Sequence, residues 1–311
     1  MTADASARRR ALGRALTRAA EAGVDQALAL AEAAQPAPEG GAWRIGITGA
    51  PGAGKSSLIG RLARLRLDRL SRETPPAGAP PERLAVIAVD PTSPVSHGSI
   101  LGDRIRMEDL AGDRRAYIRS LPSRGGRDGL THNIVDILAA LDAHGFRETI
   151  LETVGVGQAE HAVRLMVDTV VLVLHPESGD SIQAMKAGVM ELADIYVVNK
   201  ADLPGAKRAL AELRATLRGV GPDGFEPPIL TVSQDDPASV AALDEAIEAH
   251  RRHVEVKNLR HARLAARLAY HVDSLILRRL DELRADTSAA QAGDSVPARY
   301  RALLAQLSDS G

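Results

Sequence analysis

The sequence predicts an α/β fold in which a mostly parallel central sheet is covered by helices. Along its 311 residues, short apolar runs alternate with segments whose apolar side chains recur at helical spacing. The apolar runs do not alternate with polar residues, which is typical of parallel strands buried on both faces. Several runs end in an acidic residue, and ligands of parallel sheets lie beyond the carboxyl ends of the strands.

The predicted elements can be followed along the chain. Strands are expected over residues 43–48, 84–90, 150–152 and 168–174 and in the run that starts at Ile195. Helical patterns lie between them, over residues 57–63, 104–112, 130–144, 157–166, 181–192 and 205–217. Because strands and helices alternate, right-handed crossovers should connect the strands into one sheet.

Helical extensions flank the predicted domain, which we place at residues 42–253. Residues 1–41 are rich in Ala, Arg, Leu and Glu and predict a helical hairpin, which ends where Pro36 to Gly41 contribute two prolines and two glycines. Residues 254–311 predict helices with one apolar stripe, which either packs against the chain's own sheet or forms a dimer arm. The stripe consists of Leu264, Leu268, Val272, Leu275 and Leu280.

A glycine-rich loop between the first strand and the first helix carries the strongest motif. It fits the phosphate-binding pattern of Gly, four residues, Gly-Lys-Ser/Thr. Glycines let the backbone approach phosphates, which the N–H groups and the helix N-terminus then bind. We expect Lys55 to bridge the β- and γ-phosphates and the Ser56 hydroxyl to bind Mg²⁺. The alternative is a chance glycine-rich turn, which the flanking strand and helix disfavour. The predicted nucleotide contacts here are Gly49, Ala50, Pro51, Gly52, Ala53, Gly54, Lys55, Ser56 and Ser57.

The tetrapeptide from Asn199 to Asp202 predicts a guanine-binding pocket. An aspartate accepts hydrogen bonds from guanine N1–H and from its exocyclic amine, whereas adenine offers neither donor there, so GTP and GDP are the expected nucleotides. Asn199 suits the Hoogsteen edge of the base, and the stem of Lys200 can pack on the ring. Asp202 is alternatively a helix N-cap. A further base contact is expected at Ser233, in the sequence Val232-Ser233-Gln234.

Acidic residues supply the remaining candidates for the magnesium site and for catalysis. With Ser56, the predicted metal ligands are Asp90, Asp103 and Glu152, and the predicted catalytic residues are Lys55, Asp90 and Glu152. The transition state spreads charge over phosphate oxygens, so a cation and positioned donors carry the reaction. The Gly155 N–H is placed to sense the γ-phosphate. Asp103 is alternatively the N-cap of a helix that begins at Arg104.

Composition excludes several classes of protein. The net charge of −1 gives no basic field for nucleic acid or anionic lipid. The chain has no cysteine, which excludes disulfides, thiol catalysis and thiolate metal sites. We find no signal-peptide pattern and no apolar run near the ~20 residues that span a bilayer, so we expect a cytoplasmic protein without a membrane partner.

Five motifs of the sequence carry a resemblance: Gly49 to Ser56, Val89 to Ser93, Gly98 to Met107, Glu152 to Gln158 and Asn199 to Asp202. Together they resemble one family, the MeaB-type GTPases that serve as G-protein chaperones of adenosylcobalamin-dependent acyl-CoA mutases. The resemblance covers roughly residues 40–285. It implies a P-loop NTPase fold of the SIMIBI class, GTP hydrolysis with Mg²⁺, a homodimer built partly by C-terminal helices, and gating of cobalamin delivery to a mutase. By resemblance, Ser56, Asp103 and Glu152 lie near the metal and Asp90 beside the hydrolytic water.

Departures from the family pattern leave the client open. The loop after the predicted strand over residues 168–174 is usually Gly-x-Gly-Asp in the family and here runs from Glu177 to Asp180, and the segment Ser123 to Gly129 also differs. The expected partner is methylmalonyl-CoA mutase or a related enzyme such as 2-hydroxyisobutyryl-CoA mutase, with an adenosyltransferase as a possible second partner. We expect residues 177–188 to couple the nucleotide to this partner.

Two other functions compete with this interpretation. A P-loop small-molecule kinase does not need the Asn-Lys-x-Asp motif, and a metallochaperone GTPase needs Cys or His clusters, whereas the nine histidines are scattered. The cobalamin-binding signature is incomplete near Asp142, where Arg147 replaces its final glycine. The cofactor is therefore expected on the partner.

Overall fold

The computed structural model describes most of the chain. The described residues are 2–34, 41–73, 83–90, 110, 112–123, 130–131, 133–153, 159–177, 192–217, 221, 223–233, 235–287 and 295–309. Several predictions lie outside them: Asp103, Gly155, the helix over 181–192, most of the helix over 104–112 and all but the first residue of the loop at 177–188. For Asp90 only the backbone is described.

In the described part of the chain, seven strands form one parallel sheet. The strands are β1 (Trp43–Thr48), β2 (Leu84–Asp90), β3 (Ala116–Pro122), β4 (Glu148–Glu152), β5 (Thr169–Leu174), β6 (Ile195–Asn199) and β7 (Ile229–Val232). Their order across the sheet is β3-β2-β4-β1-β5-β6-β7. Strand β1 is central, since Ile45 pairs with Ile150 of β4 on one side and with Thr169 of β5 on the other. The predicted fold class is confirmed.

Helices cover both faces of this sheet. They are α1 (Thr2–Glu21), α2 (Val24–Ala33), α3 (Lys55–Leu70), α4 (Ile134–Ala143), α5 (Ala159–Met166), α6 (Ala206–Thr216), α7 (Pro237–Val256), α8 (Arg260–Thr287) and α9 (Val296–Asp309). None of those described has the combination of length and hydropathy that crossing a bilayer requires.

Two apolar clusters, one on each face, hold the sheet between the helices. On one face α3 buries Leu58, Ile59 and Leu62 against strand residues such as Ile45. On the other face α4 and the N-terminal helix α1 pack together, and Leu16 of α1 is fully buried. The continuous apolar runs follow from this arrangement, because every residue of β1, β4 and β5 is buried.

Some elements escaped the sequence patterns. Strand β3 carries the half-buried Arg119 and Ser120 at one edge of the sheet, and β7 has only four residues at the other edge, so neither forms an apolar run. Helix α7 was also not predicted, although Asp236 caps it by accepting from Ala238 N and Pro237 starts it. The boundary proposed between residues 253 and 254 falls inside α7, which ends at Val256. The division into extensions and domain stays a prediction.

Candidate functional site

The glycine-rich loop follows β1 at the carboxyl edge of the sheet, and its backbone requires glycine. Gly49 has a φ of 143°, and a Cβ there would lie 2.0 Å from the carbonyl oxygen of Val173 in β5. Gly52 and Gly54 have φ values of 79° and 83°, in the left-handed region that side chains disfavour. The loop thus passes close over the end of β5, with Pro51 and Gly52 exposed.

The loop closes around the side chain of Lys55, the first residue of α3. Its Nζ donates to the carbonyl oxygens of Gly49 at 2.7 Å and Ala50 at 3.1 Å, and the residue is only 6% exposed. Helix α3 begins after Gly54 without a side-chain cap. A buried ammonium and an N-terminus without a side-chain cap therefore face the same loop, which is a suitable environment for an anion.

Two of the predicted metal ligands are brought together beside this loop. Ser56 Oγ donates to Glu152 Oε1 at 2.8 Å, and both residues are 6% exposed. The contact arises because β4 lies next to β1, with Glu152 in register with Ile47. The backbone of Asp90, two residues beyond the partner of Glu152 in β2, ends the next strand at the same edge. Hydroxyl and carboxylate oxygens are the ligands that Mg²⁺ takes.

The predicted base-binding motif lies at the end of β6 and contacts the phosphate-binding loop directly. Asn199 Nδ2 donates to the carbonyl oxygen of Ala53 at 2.8 Å, so the two motifs belong to one site. Lys200 has a φ of 52°, and its Nζ lies 3.1 Å from His175 Nε2. Asp202 is exposed, and α6 has Gly205 rather than Asp202 as its N-cap, which argues against a capping role for the aspartate.

The structure places Ser233 in contact with Asp202, and its contact with the base stays a prediction. Its Oγ donates to Asp202 Oδ1 at 3.1 Å, and its backbone N–H donates to Ser239 Oγ at 3.1 Å. Ser233 therefore orients the aspartate, and Ser239 in the first turn of α7 fixes the loop that carries Ser233.

Sequence reasoning missed both Ser239 and His175. A signal existed for His175 alone, because it directly follows β5 at the edge where ligands bind.

A cluster at the opposite edge has metal-binding residue types but a different role. Ligand atoms of Asp194, Asp223 and His250 lie within 4.8 Å of one another. Arg164 donates to both carboxylates at 2.5 Å, and Arg263 also binds Asp223. Burial raises the pKa of Asp194, but the neighbouring His250 and the two arginines leave that pKa below its usual value. The carboxylates are thus neutralised by arginine, and we assign the cluster to stabilising the fold.

Comparisons with known proteins agree with this geometry. Residues 12–289 match the family model described as methylmalonyl Co-A mutase-associated GTPase MeaB. A probable GTPase of Mycobacterium tuberculosis is 44% identical over 218 residues, which are 68% of this chain and 62% of that protein. The mitochondrial methylmalonic aciduria type A homolog of Caenorhabditis briggsae is 37% identical over 206 residues, 65% of this chain and 48% of that protein. The chain thus spans less than two thirds of the length of these relatives.

A solved structure shares the fold. The crystal structure of an LAO/AO transport system kinase superposes with a TM-score of 0.58 at 24% identity, over 96% of both chains. At this identity the similarity concerns the architecture only. It agrees with the P-loop NTPase fold that the sequence predicts.

Proposed function

The chain belongs to the MeaB family of methylmalonyl-CoA mutase-associated GTPases, and from this premise we propose that it binds GTP and hydrolyses it to GDP and phosphate. The observation that carries the proposal is the hydrogen bond from Asn199 to Ala53, which joins a guanine-specific motif to a phosphate-binding loop. One nucleotide then spans from Asp202, at the base, to Lys55, at the phosphates.

Each described residue has a chemical task in this proposal. Lys55 exchanges the carbonyl oxygens of its own loop for the β- and γ-phosphate oxygens, and the N–H groups at the start of α3 donate to the same anion. Ser233 holds the Asp202 carboxylate in the orientation that accepts from guanine. The loop backbone, free of Cβ atoms at Gly52 and Gly54, approaches the phosphates closely.

Ser56 and Glu152 fit a magnesium ion. Their oxygens lie 2.8 Å apart in a buried position beside the phosphate loop, and both are hard donors. When bound, Mg²⁺ neutralises charge on the phosphate oxygens. Asp103 is proposed as a further ligand, Asp90 as the residue beside the attacking water, and the Gly155 N–H as a γ-phosphate contact; these assignments rest on the sequence motifs.

The base assignment is tested by Asp202→Asn. This change replaces one acceptor with a donor, which suits the carbonyl that xanthine carries where guanine has its amine. We expect hydrolysis to shift from GTP to XTP. The control is Asp235→Asn, an exposed aspartate near the same loop, which should keep the preference for GTP. An Asp202→Asn variant that still prefers GTP would place the base elsewhere.

We further propose that the client is an adenosylcobalamin-dependent acyl-CoA mutase and that the GTPase cycle gates cofactor loading on it. Support comes from the family description and from the methylmalonic aciduria type A homolog among the relatives. The cofactor would sit on the mutase. A cytoplasmic location and an adenosyltransferase as second partner stay predictions.

Turnover of GTP with and without a purified mutase tests the client. A cognate mutase should raise the turnover of wild type, whereas Asp180→Ala and Lys186→Ala, in the proposed coupling loop, should keep the intrinsic rate and lose the stimulation. Equal stimulation of all three proteins would move the coupling to another surface. If no acyl-CoA mutase of the same cell stimulates wild type, the client assignment is wrong while the GTPase assignment stands.

A homodimer formed through α8 and α9 completes the proposal. Helix α8 turns charged residues such as Arg267 and Arg278 towards its own chain, while some of its apolar residues are exposed. Of the predicted stripe, Leu268 and Val272 are exposed, whereas Leu264, Leu275 and Leu280 are half-buried. Those exposed residues are Leu268, Val272, Ile276 and Leu277, followed on α9 by Val296, Tyr300 and Leu304. A stripe of this kind on a helix is typical of an interface.

Sedimentation measures the oligomer directly. Leu268→Glu and Ile276→Glu should each give monomers, because a charge would be buried between two copies. Val256→Glu serves as the matched control, since Val256 is 83% exposed at the end of α7, outside α8 and α9, and this variant should stay dimeric. A monomeric wild type would overturn the dimer.

A further inference from the structure

We propose that His175 is a positioning residue for Lys200 and that its imidazole is shared, one partner at a time, between Lys200 and the backbone of Glu177. The inference rests on the proposed function and on the expectation from the sequence that the stem of Lys200 packs on the guanine ring. It adds a residue that the motifs of the sequence do not contain.

The position of His175 follows from the sheet. Strands β5 and β6 are paired, with Leu174 in register with Val198, so the residues that follow them emerge side by side at the carboxyl edge. His175 comes directly after β5, and Lys200 directly after β6. The left-handed backbone of Lys200, with a φ of 52°, is a conformation that a non-glycine residue adopts only at a cost. In this conformation the Lys200 ammonium lies within hydrogen-bonding distance of the His175 ring.

Both nitrogens of the imidazole face a donor. Lys200 Nζ lies 3.1 Å from Nε2, and the backbone N–H of Glu177 points at Nδ1 with an N to N distance of 3.2 Å. A neutral imidazole has one acceptor nitrogen and one N–H, and an imidazolium has no acceptor. The ring therefore cannot accept from both partners at once.

Two arrangements result, one for each tautomer. With the proton on Nδ1, the ring accepts from the Lys200 ammonium and Glu177 loses its acceptor. With the proton on Nε2, the turn from His175 to Glu177 is closed and the ammonium meets an N–H. Opening of that turn thus favours an anchored Lys200, which couples the start of the segment after β5 to the base-binding lysine.

Protonation of the ring removes both acceptors. Within the described residues, the ionisable residues that contact His175 are Lys200, through its ammonium, and Glu177, through its backbone amide. An imidazolium beside the ammonium adds a like-charge repulsion to the lost hydrogen bond. Lys200 is then released from its anchored position, and guanine binding has to order it again.

The test is the affinity for GDP of wild type, His175→Ala and His175→Gln, measured at about pH 8 and again at about pH 5.5. At the higher pH, His175→Ala should bind about three- to tenfold more weakly, the effect of leaving one flexible side chain to be ordered on binding. His175→Gln should bind like wild type, because its carboxamide oxygen accepts from the ammonium. Wild type should weaken about three- to tenfold at the lower pH, and His175→Gln should not.

The matched control is His261→Gln, which removes an exposed histidine of α8 and should reproduce both wild-type affinities. The inference is overturned if His175→Ala equals wild type at the higher pH, or if His175→Gln keeps the full wild-type weakening at the lower one. If wild type does not bind GDP, both the proposed function and this inference are wrong. If wild type binds GDP but the His175 variants behave as just described, only this inference is wrong.

The tautomer itself gives a second measurement. Imidazole ¹⁵N chemical shifts distinguish a protonated Nδ1 from a protonated Nε2. GDP binding at the higher pH should move His175 towards the tautomer protonated on Nδ1, because the anchored Lys200 needs Nε2 as its acceptor. A shift towards protonated Nε2 would contradict the proposed coupling.

Discussion

The two edges of the same sheet are both rich in polar residues, but they use them differently. At the carboxyl edge, Lys55 binds the carbonyl oxygens of its own loop and Ser56 binds Glu152, contacts that a phosphate or a cation can replace. At the amino edge, Arg66 is fully buried and paired with three carboxylates, Glu148 at 2.6 and 2.7 Å, Asp244 at 2.6 Å and Glu248 at 2.7 Å. These partners come from β4 and α7, and no ligand is needed to complete the pairs.

The comparison separates polar groups that serve ligands from polar groups that hold elements together. Partners that a ligand can replace, at the carboxyl edge, imply that substitutions there change nucleotide binding and leave the free energy of unfolding nearly unchanged. Partners that stay paired without a ligand, at the amino edge, imply the reverse. The predictions below test this separation, from the largest expected effect to the smallest.

Arg66→Met should have the largest effect. It leaves Glu148, which is 1% exposed, without its bidentate partner, and breaking a buried ion pair costs about 3–5 kcal/mol of unfolding free energy. Urea unfolding measures the loss. Arg69→Met, whose side chain is 36% exposed, is the control and should cost less than about 1 kcal/mol. An Arg66→Met variant whose free energy of unfolding is close to that of wild type would show that these ion pairs at the amino edge do not stabilise the fold.

Lys55→Ala should change binding instead of stability. It removes the ammonium that meets the phosphates, and we expect GTP affinity to fall roughly 100-fold, about 3 kcal/mol, while the unfolding midpoint in the absence of nucleotide stays close to wild type. Titration with a fluorescent GTP analogue gives the affinity. Lys207→Ala, an exposed lysine of α6, should behave as wild type. Near-normal affinity in a folded Lys55→Ala protein would contradict the phosphate role of the loop.

Low pH should destabilise the fold by protonating the carboxylates that are paired with arginine at the amino edge. Burial raises the pKa of Glu248, but Arg66 and the other arginines around it bring that pKa below its usual value, and the pKa of Asp194 is lowered as well. A lowered pKa in the folded state gives stability that is present above the unfolded-state pKa of about 4 and is lost as pH falls through the folded-state pKa. We expect a loss on the order of 1–3 kcal/mol below about pH 4.

The comparison for this pH dependence is between two glutamates of α7. Glu248→Gln should make unfolding free energy less steep with pH, whereas Glu245→Gln, at an exposed position, should leave the slope unchanged. Equal slopes in the two variants would mean that the pairs of Arg66 do not set the acid limit.

Arg267→Met should have the smallest effect on the free energy of unfolding. It tests whether every buried arginine at the amino edge stabilises the fold. Burial, with the nearby charge of Arg44, lowers the pKa of Arg267 to about 10, and among the described residues its guanidinium donates one hydrogen bond, to Asp168 Oδ1 at 3.2 Å. A base with a lowered pKa in the folded state costs stability at neutral pH. We therefore expect a change within about 1 kcal/mol, towards greater stability.

Arg263→Met is the opposite case on the same helix. Arg263 binds both the backbone oxygen of Asp168 and the carboxylate of Asp223, so its loss should destabilise the protein in the same urea measurement. If Arg267→Met destabilises the protein as much as Arg263→Met, then the ion pair of Arg267 with Asp168 contributes more to the free energy of unfolding than its single hydrogen bond indicates.

The phosphate-binding motif could be read from the sequence because it is contiguous. The residues from Gly49 to Ser56 carry the glycines, the lysine and the hydroxyl in one stretch, and the structure places them in the loop after β1 and at the start of α3, as expected. The run from Asn199 to Asp202 is equally local. Its contact with Ala53 could not be derived, because it depends on where β6 lies relative to β1 in the sheet.

The sequence by itself determined the alternation of buried strands and helices, the phosphate-binding loop and the guanine motif, because each depends on neighbouring residues and on a period of the chain. Tertiary structure alone decided which distant charges meet. Arg66 and Asp244 are 178 residues apart, and Lys200 meets His175 only because β5 and β6 pair in register. The direction of α8 is a further case, since Arg267 finds an acceptor at Asp168, directly before β5, while Leu268 and Val272 on the same helix are exposed. The periodicity of a segment specifies which side of that helix or strand is apolar, whereas the tertiary packing specifies what each side contacts.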